Sequence, residues 1–228
     1  MSEATTDSVE TKAGDASGAS EASPYRGILF VISSPSGGGK GTLIRRILKS
    51  VPHLGYSVSW TTRPPRAGEQ HGVNYHFASV EEFERMRDEG GFLEWARVHG
   101  RLYGTSREFV ERETHKGRDV VLEIDVQGAA AIRRSMQDAV HIFILPPSFE
   151  VLRERLRGRQ TEAPADLSVR LGNARGEVAR YTEFDYIVLN DEVTRAAAQL
   201  ASIVYAERAR RERQEWLARS VLETFPEN

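Results

Sequence analysis

The chain of 228 residues contains no cysteine. That excludes a disulfide framework and thiolate chemistry, and it fits a reducing compartment such as the cytoplasm. Long apolar runs are also missing. Stretches such as Ile142–Leu145 fall far short of the roughly 20 residues needed to cross a bilayer. There is no basic excess: the formal net charge is −2, and no aromatic-basic repeat occurs, which argues against a general nucleic-acid binder. The six histidines show no metal-ligand spacing, and no internal repeat is present. Residues 1–24 lack the apolar segment of a secretory signal, and their acids argue against a transit peptide. They hold five acids against the single Lys12, a net −4, which leaves +2 for the rest. Their Ser/Ala/Gly-rich composition reads as a disordered tail. What remains is large enough for one α/β domain with small insertions.

From Gly27 onward the pattern alternates. Ile28–Ile32 is a continuous apolar run, as a buried parallel strand requires. Leu43, Ile44, Ile47 and Leu48 then recur at helical spacing. Ser79 with Glu82 is a capping-box signature. Phe92–Val98 predicts a strand and Gly100 a turn. Thr105 or Ser106 can cap a helix that reaches Lys116 and ends at Gly117. Val120–Ile124 and Val140–Leu145 read as further buried strands. Phe149–Leu156 is helical, 158–164 irregular and Asp166–Arg180 helical. Tyr186–Leu189 is a last strand, and Val193 to about Trp216 one long helix. Strands alternating with helices imply a parallel sheet with right-handed crossovers.

Ser33-Ser34-Pro35-Ser36-Gly37-Gly38-Gly39-Lys40-Gly41-Thr42 follows the first strand and opens a helix. This is the setting of a phosphate loop. Glycines turn backbone N–H groups inward, the helix start adds positive potential, and the lysine reaches the transferred phosphoryl. Two positions depart from the strict pattern. Ser34 replaces the first glycine, and Gly41 stands where a hydroxyl usually contacts Mg²⁺. Thr42 comes one residue late.

Tyr56 to Phe77 then packs Arg63, Pro64-Pro65, Arg66, Glu69 and Tyr75 into one segment. Arginine's planar fork binds phosphate oxygens bidentately, and the proline pair keeps the backbone extended. Two such arginines beside tyrosine hydroxyls suit a small phosphate dianion. The bland alternative is an exposed basic loop.

The motifs SSPSGGGKGT, SVSWTTRPPRAGE, GVNYHF, FLEWARVHGRLYGT, VVLEIDVQGA, HIFILPPS, RLRGRQTE and FDYIVLND occur in this order. Between about Gly27 and Ala206 the chain resembles the guanylate kinases, P-loop enzymes that phosphorylate GMP with ATP. The resemblance implies a P-loop kinase fold: a parallel core sheet flanked by helices, a small mixed GMP-binding insertion and a short lid. It divides the domain, 25–222, into a core (25–56, 117–150, 180–216), a GMP-binding region (57–116) and a lid (151–179), with a tail at 223–228.

The implied roles follow motif by motif. Ser34 to Thr42 would hold ATP, with Lys40 on the moving phosphoryl. Arg63, Arg66, Tyr75 and Tyr103 would clamp the GMP phosphate. Glu94 would face guanine, with Ser57, Gly104 and Thr105 beside it, and Glu69 would line the same region. A carboxylate accepts guanine's adjacent N1–H and N2–H₂ donors and is left unpaired by adenine. Glu123 and Asp125 close a strand at its carboxyl end, on one face, near GMP and Mg²⁺. Glu123 is longer than the commoner Asp. Arg155, Arg159 and Arg170 match lid arginines, with Gln160 where glycine is usual, and Asn190 would contact adenine. Mg²⁺ would come with ATP, near Thr42 and Asp125. The acceptor is already a phosphate oxygen, so no covalent intermediate is needed. Three alternatives stand beside this reading: a kinase for another monophosphate, a non-catalytic binding module and a nucleic-acid binder. The Arg/Glu-dense stretch Glu207–Arg213 reads as a solvated helix face, with a subunit contact as the alternative.

Overall fold

The computed structural model describes residues 25–98, 100–158 and 164–226, with the side chains of 164–170 excepted. The tail expected at 1–24 lies outside them. Five strands form a wholly parallel sheet: β1 (Leu29–Ser33), β2 (Leu54–Tyr56), β7 (Asp119–Glu123), β8 (Val140–Leu145) and β9 (Tyr186–Leu189), in the order β2-β7-β1-β8-β9. β1 is buried along its whole length. Its side chains alternate, and each face meets a different layer. Phe30 and Ile32 pack with Leu43, Ile44 and Ile47 of α1 (Lys40–Ser50) and with Leu200 and Val204 of α7 (Val193–Arg208). Leu29 and Val31 pack with Val110 of α3 (Arg107–His115) and with Ala129 and Ile132 of α4 (Val126–Ser135).

A second, mixed sheet holds β3 (Trp60–Thr61), β4 (His76–Phe77), β5 (Phe92–Val98) and β6 (Arg101–Ser106), ordered β4-β3-β6-β5. β5 and β6 are an antiparallel hairpin turned at Gly100, whose φ of 75° suits glycine. The register slips between Phe92 and Glu94. This bulge breaks strict alternation, so that Phe92, Leu93 and Glu94 are all buried. Phe92 stacks on Phe83 of α2 (Val80–Asp88), Leu93 joins the main core, and Glu94 turns to the cleft.

Most expected elements are present. Ser79 caps α2, accepting from Glu82 N–H. Of the two candidate caps for α3 it is Ser106 that accepts from Phe109 N–H, because the Thr105 hydroxyl is given to Glu94. α5 (Phe149–Arg157) and α6 (Pro164–Ala179) follow, then a 3-10 turn, Arg180–Glu183.

The long final helix is instead two, α7 and α8 (Arg211–Leu222). Side chains at the junction hold the break. Arg208 reaches Asp119 (2.7 Å) and the Pro52 carbonyl (2.8 Å), while Gln214 Nε2 caps the Arg208 carbonyl (2.7 Å). Glu207 is buried and accepts from the Tyr186 hydroxyl at 2.6 Å, with Arg210 and Arg213 near its other oxygen. Glu207 therefore departs from the expected solvated face. No helix among the described residues is long and apolar enough to cross a membrane.

Candidate active site

The carboxyl ends of the parallel strands converge on a cleft of about 680 Å³, the place where open α/β sheets bind ligands. β1 leads into the phosphate loop, which turns through Gly37 (φ 84°) and Gly39 (φ 89°) before α1 begins at Lys40. Gly39 is required twice over. Its backbone is left-handed, and a Cβ there would lie 2.4 Å from Asn190 Nδ2. The Asn190 amide donates to the Gly38 carbonyl (2.8 Å), Ser34 Oγ donates to the Pro35 carbonyl, and Ser36 N–H donates to a Glu177 oxygen (3.0 Å). Ser34, Ser36, Lys40 and Gly41 line the cleft. Lys40 Nζ lies 3.9 Å from Glu123, whose other oxygen accepts from the Tyr56 hydroxyl at 3.3 Å.

The arginine segment closes one wall. Arg63 donates to both Glu69 oxygens (2.8 Å each) and lies over the rings of Tyr75 and Phe77. The same carboxylate accepts from Arg66 N–H, and these hydrogen bonds pull its pKa below the usual range even though burial pushes it up. Tyr75 meets Tyr103 edge-on at 6.0 Å. Burial first, then the charge of Glu123, raises the Tyr75 hydroxyl above its ordinary value, so it remains a donor.

In the same cleft Glu94 is 7% exposed and accepts from the Thr105 hydroxyl at 2.7 Å. Burial pushes its carboxyl up to about 7, Thr105 opposes the shift and Asp125 adds to it. The hydroxyl of Ser57, at the end of β2, is buried without a partner. Gly104 lines the cleft and also makes room for the rings of Phe83 and Phe92.

Other residues sit differently from expectation. Asp125 is beyond the strand rather than alternating along it. It caps α4, accepting from Gln127 and Gly128 N–H, though it still lines the cleft. Thr42 is exposed on α1, and its hydroxyl accepts from Arg45 at 3.3 Å. Arg155 does not reach over the cleft: its guanidinium donates to the carbonyls of Asn190 (2.9 Å) and Gly38 (3.4 Å), which hold it against the loop backbone. Asn190, expected at adenine, is buried: its Nδ2 donates to that loop, while its Oδ1 has no protein partner. Arg170 lies on α6, and Arg159 and Gln160 fall outside the described residues. Two residues that shape the site went unmarked in the sequence reading. Glu177 bonds the phosphate loop, and Gly128 matters because a Cβ there would come within 3.0 Å of Glu94. Neither carries a local signal, since each acts on a part of the chain remote in sequence.

The guanylate kinase family model matches residues 26–207. A guanylate kinase of Rhizobium etli is 47% identical over 205 residues, 88% of this chain and 93% of that protein. One from Thermotoga maritima is 49% identical over 185 residues, covering 81% and 89%. The crystal structure of guanylate kinase from Anaplasma phagocytophilum superposes with a TM-score of 0.75 at 34% identity, covering 90% of this chain and 98% of that one. A cleft lined by both a phosphate loop and a buried carboxylate is thus set in a chain that belongs to the guanylate kinase family.

Proposed function

We propose that the chain transfers the γ-phosphoryl of ATP to GMP, and to dGMP, giving ADP and the diphosphate, in cytoplasmic purine nucleotide metabolism. The observation that carries this reading is Glu94. A buried carboxylate with one hydroxyl partner, in the same cleft as Lys40, Arg63 and Arg66, suits a base with two adjacent donors and a phosphate. Guanine's N1–H and N2–H₂ would both be accepted there, with the unpartnered Ser57 hydroxyl nearby. Adenine would leave the carboxylate unpaired.

Arg63 is already oriented by Glu69, so little side-chain freedom is lost when it meets the GMP phosphate. Arg66, Tyr75 and Tyr103 complete that clamp. The phosphate loop and Lys40 cradle the triphosphate, while Asn190 and Arg155 act on ATP through the loop they hold. Arg159 and Arg170 belong to the segment, 151–179, that would close over the nucleotide and exclude water. The remaining core, 25–56, 117–150 and 180–216, carries the loop and the acids, and 57–116 carries GMP.

Transfer runs in line between two phosphate oxygens, without a covalent enzyme intermediate. The residues position both substrates and neutralise charge. Among the described residues no cluster of three or more metal-ligating side chains exists. Mg²⁺ needs only one or two carboxylates beside nucleotide oxygens and water, and Glu123 and Asp125 both line the cleft. Glu123 and Asp125 would face it, and it would neutralise charge on the transferred group.

ADP production with GMP and with AMP, at matched Mg²⁺–ATP, tests the reading. Turnover with GMP should exceed that with AMP by about 10⁴-fold, and Lys40→Met should abolish it. GMP binding without turnover would identify a binding module instead.

A further inference from the structure

Two unusual positions of the sequence meet in space. Gly41 stands in the first turn of α1. Its φ is not positive, unlike those of Gly37 and Gly39, so the backbone does not demand glycine there. Glycine also weakens a helix relative to most residues. What the position gains is room. A Cβ on Gly41 would lie 3.3 Å from one oxygen of Glu123, tighter than most such contacts, and at ordinary contact distance from the other (3.5 Å) and from Arg45 (3.6 Å). A serine or threonine hydroxyl on that Cβ would compete for the space the carboxylate occupies.

Glu123 is held there on two further sides, by Lys40 Nζ at 3.9 Å and by the Tyr56 hydroxyl at 3.3 Å. Its extra methylene, relative to aspartate, extends it toward the start of α1. The nearest hydroxyl on the helix, that of Thr42, is exposed and accepts from Arg45, so it offers no substitute.

We infer that Gly41 and Glu123 are a matched pair: the carboxylate of Glu123 takes the place of the hydroxyl that Gly41 lacks, and becomes the protein's oxygen facing the Mg²⁺ of bound ATP. This rests on the ATP-dependent reading above. It also gives Lys40 a fixed partner before the nucleotide arrives. Glu123 is ready to bind the cation once Lys40 turns to the phosphates.

A double-mutant cycle tests the pairing: wild type, Gly41→Ser, Glu123→Asp and the combination. Mn²⁺ replaces Mg²⁺, and its binding to each protein with a non-hydrolysable ATP analogue is titrated by electron paramagnetic resonance. Each single variant should weaken Mn²⁺ binding by about tenfold. The double variant, with hydroxyl and short acid together, should recover to within a few-fold of wild type. Melting temperatures of the nucleotide-free proteins give a second readout: Gly41→Ser should melt lower, and Glu123→Asp should relieve it. Losses that multiply in the double variant overturn the pairing. So does a Glu123→Asp protein that turns over slowly yet binds Mn²⁺ normally, because Glu123 then serves Lys40 alone. An inactive wild type with an intact cycle would sink the kinase reading and leave the pair standing. An active wild type with additive losses would do the reverse.

Discussion

As the proposed partner of guanine, Glu94 would link binding to pH. Its carboxyl sits at about 7 because burial disfavours the charge. The proposed contact with guanine needs the ionised form, so KM for GMP should rise by about tenfold per unit as pH falls below 7, with kcat changing less. The stability effect has the opposite sense. A folded-state pKa above the model value of 4.5 means that the neutral acid favours folding, and that this advantage is lost as pH rises from about 4.5 through 7. Glu94→Gln should therefore melt higher than wild type at pH 8, by up to a few kcal/mol in stability, while its kcat/KM for GMP drops at least about a hundredfold. A variant that lost both stability and activity at pH 8 would contradict this assignment. Glu94 was legible because a whole motif surrounds it. The contacts of Gly41, Gly128 and Glu177 were not, because each is defined by a neighbour more than thirty positions away in sequence.

Among the elements, the strands built on apolar runs were readable: β1, β7 and β8 are buried almost throughout, while β5 and β9 carry enough β-formers to be recognised although Trp95, Ile187 and Leu189 are exposed. β2, β3 and β4 have two or three residues each and are mostly half-buried, so periodicity has too little to act on. β6 escaped because it exists only as the partner of β5, with Gly104 where packing on Phe92 and Phe83 leaves no room for a side chain. α4 is short and rich in Ala and Gly, and its start is set by the Asp125 cap. That helix start bears on specificity. Gly128→Ala would place a methyl against Glu94, 3.0 Å from its oxygen. The expected result is a tenfold or greater loss of kcat/KM for GMP, of the size that small misplacements cost, with KM for ATP unchanged. Steady-state kinetics in both substrates decides it.

At the scale of the whole molecule the parallel sheet has two different ends. The carboxyl ends carry the cleft. Near the amino ends, Asp119 is 1% exposed and gathers Ile28 N–H (2.7 Å), the Tyr25 hydroxyl (3.2 Å) and Arg208 Nε (2.7 Å). Removing the arginine leaves a buried charge short of its counter-ion. Arg208→Ala should cost about 3 kcal/mol, seen as a melting temperature lower by roughly 10 °C, with kcat within about twofold of wild type. A large fall in kcat at a temperature where the variant is folded would refute this separation. The Asp119 clamp therefore divides the molecule's tolerance of change. Substitutions around it decide how long a molecule survives in the cell before it unfolds, and substitutions at the opposite pole decide what it does while it lasts. A lineage can drift at one end to suit its growth temperature without renegotiating the nucleotide it accepts at the other.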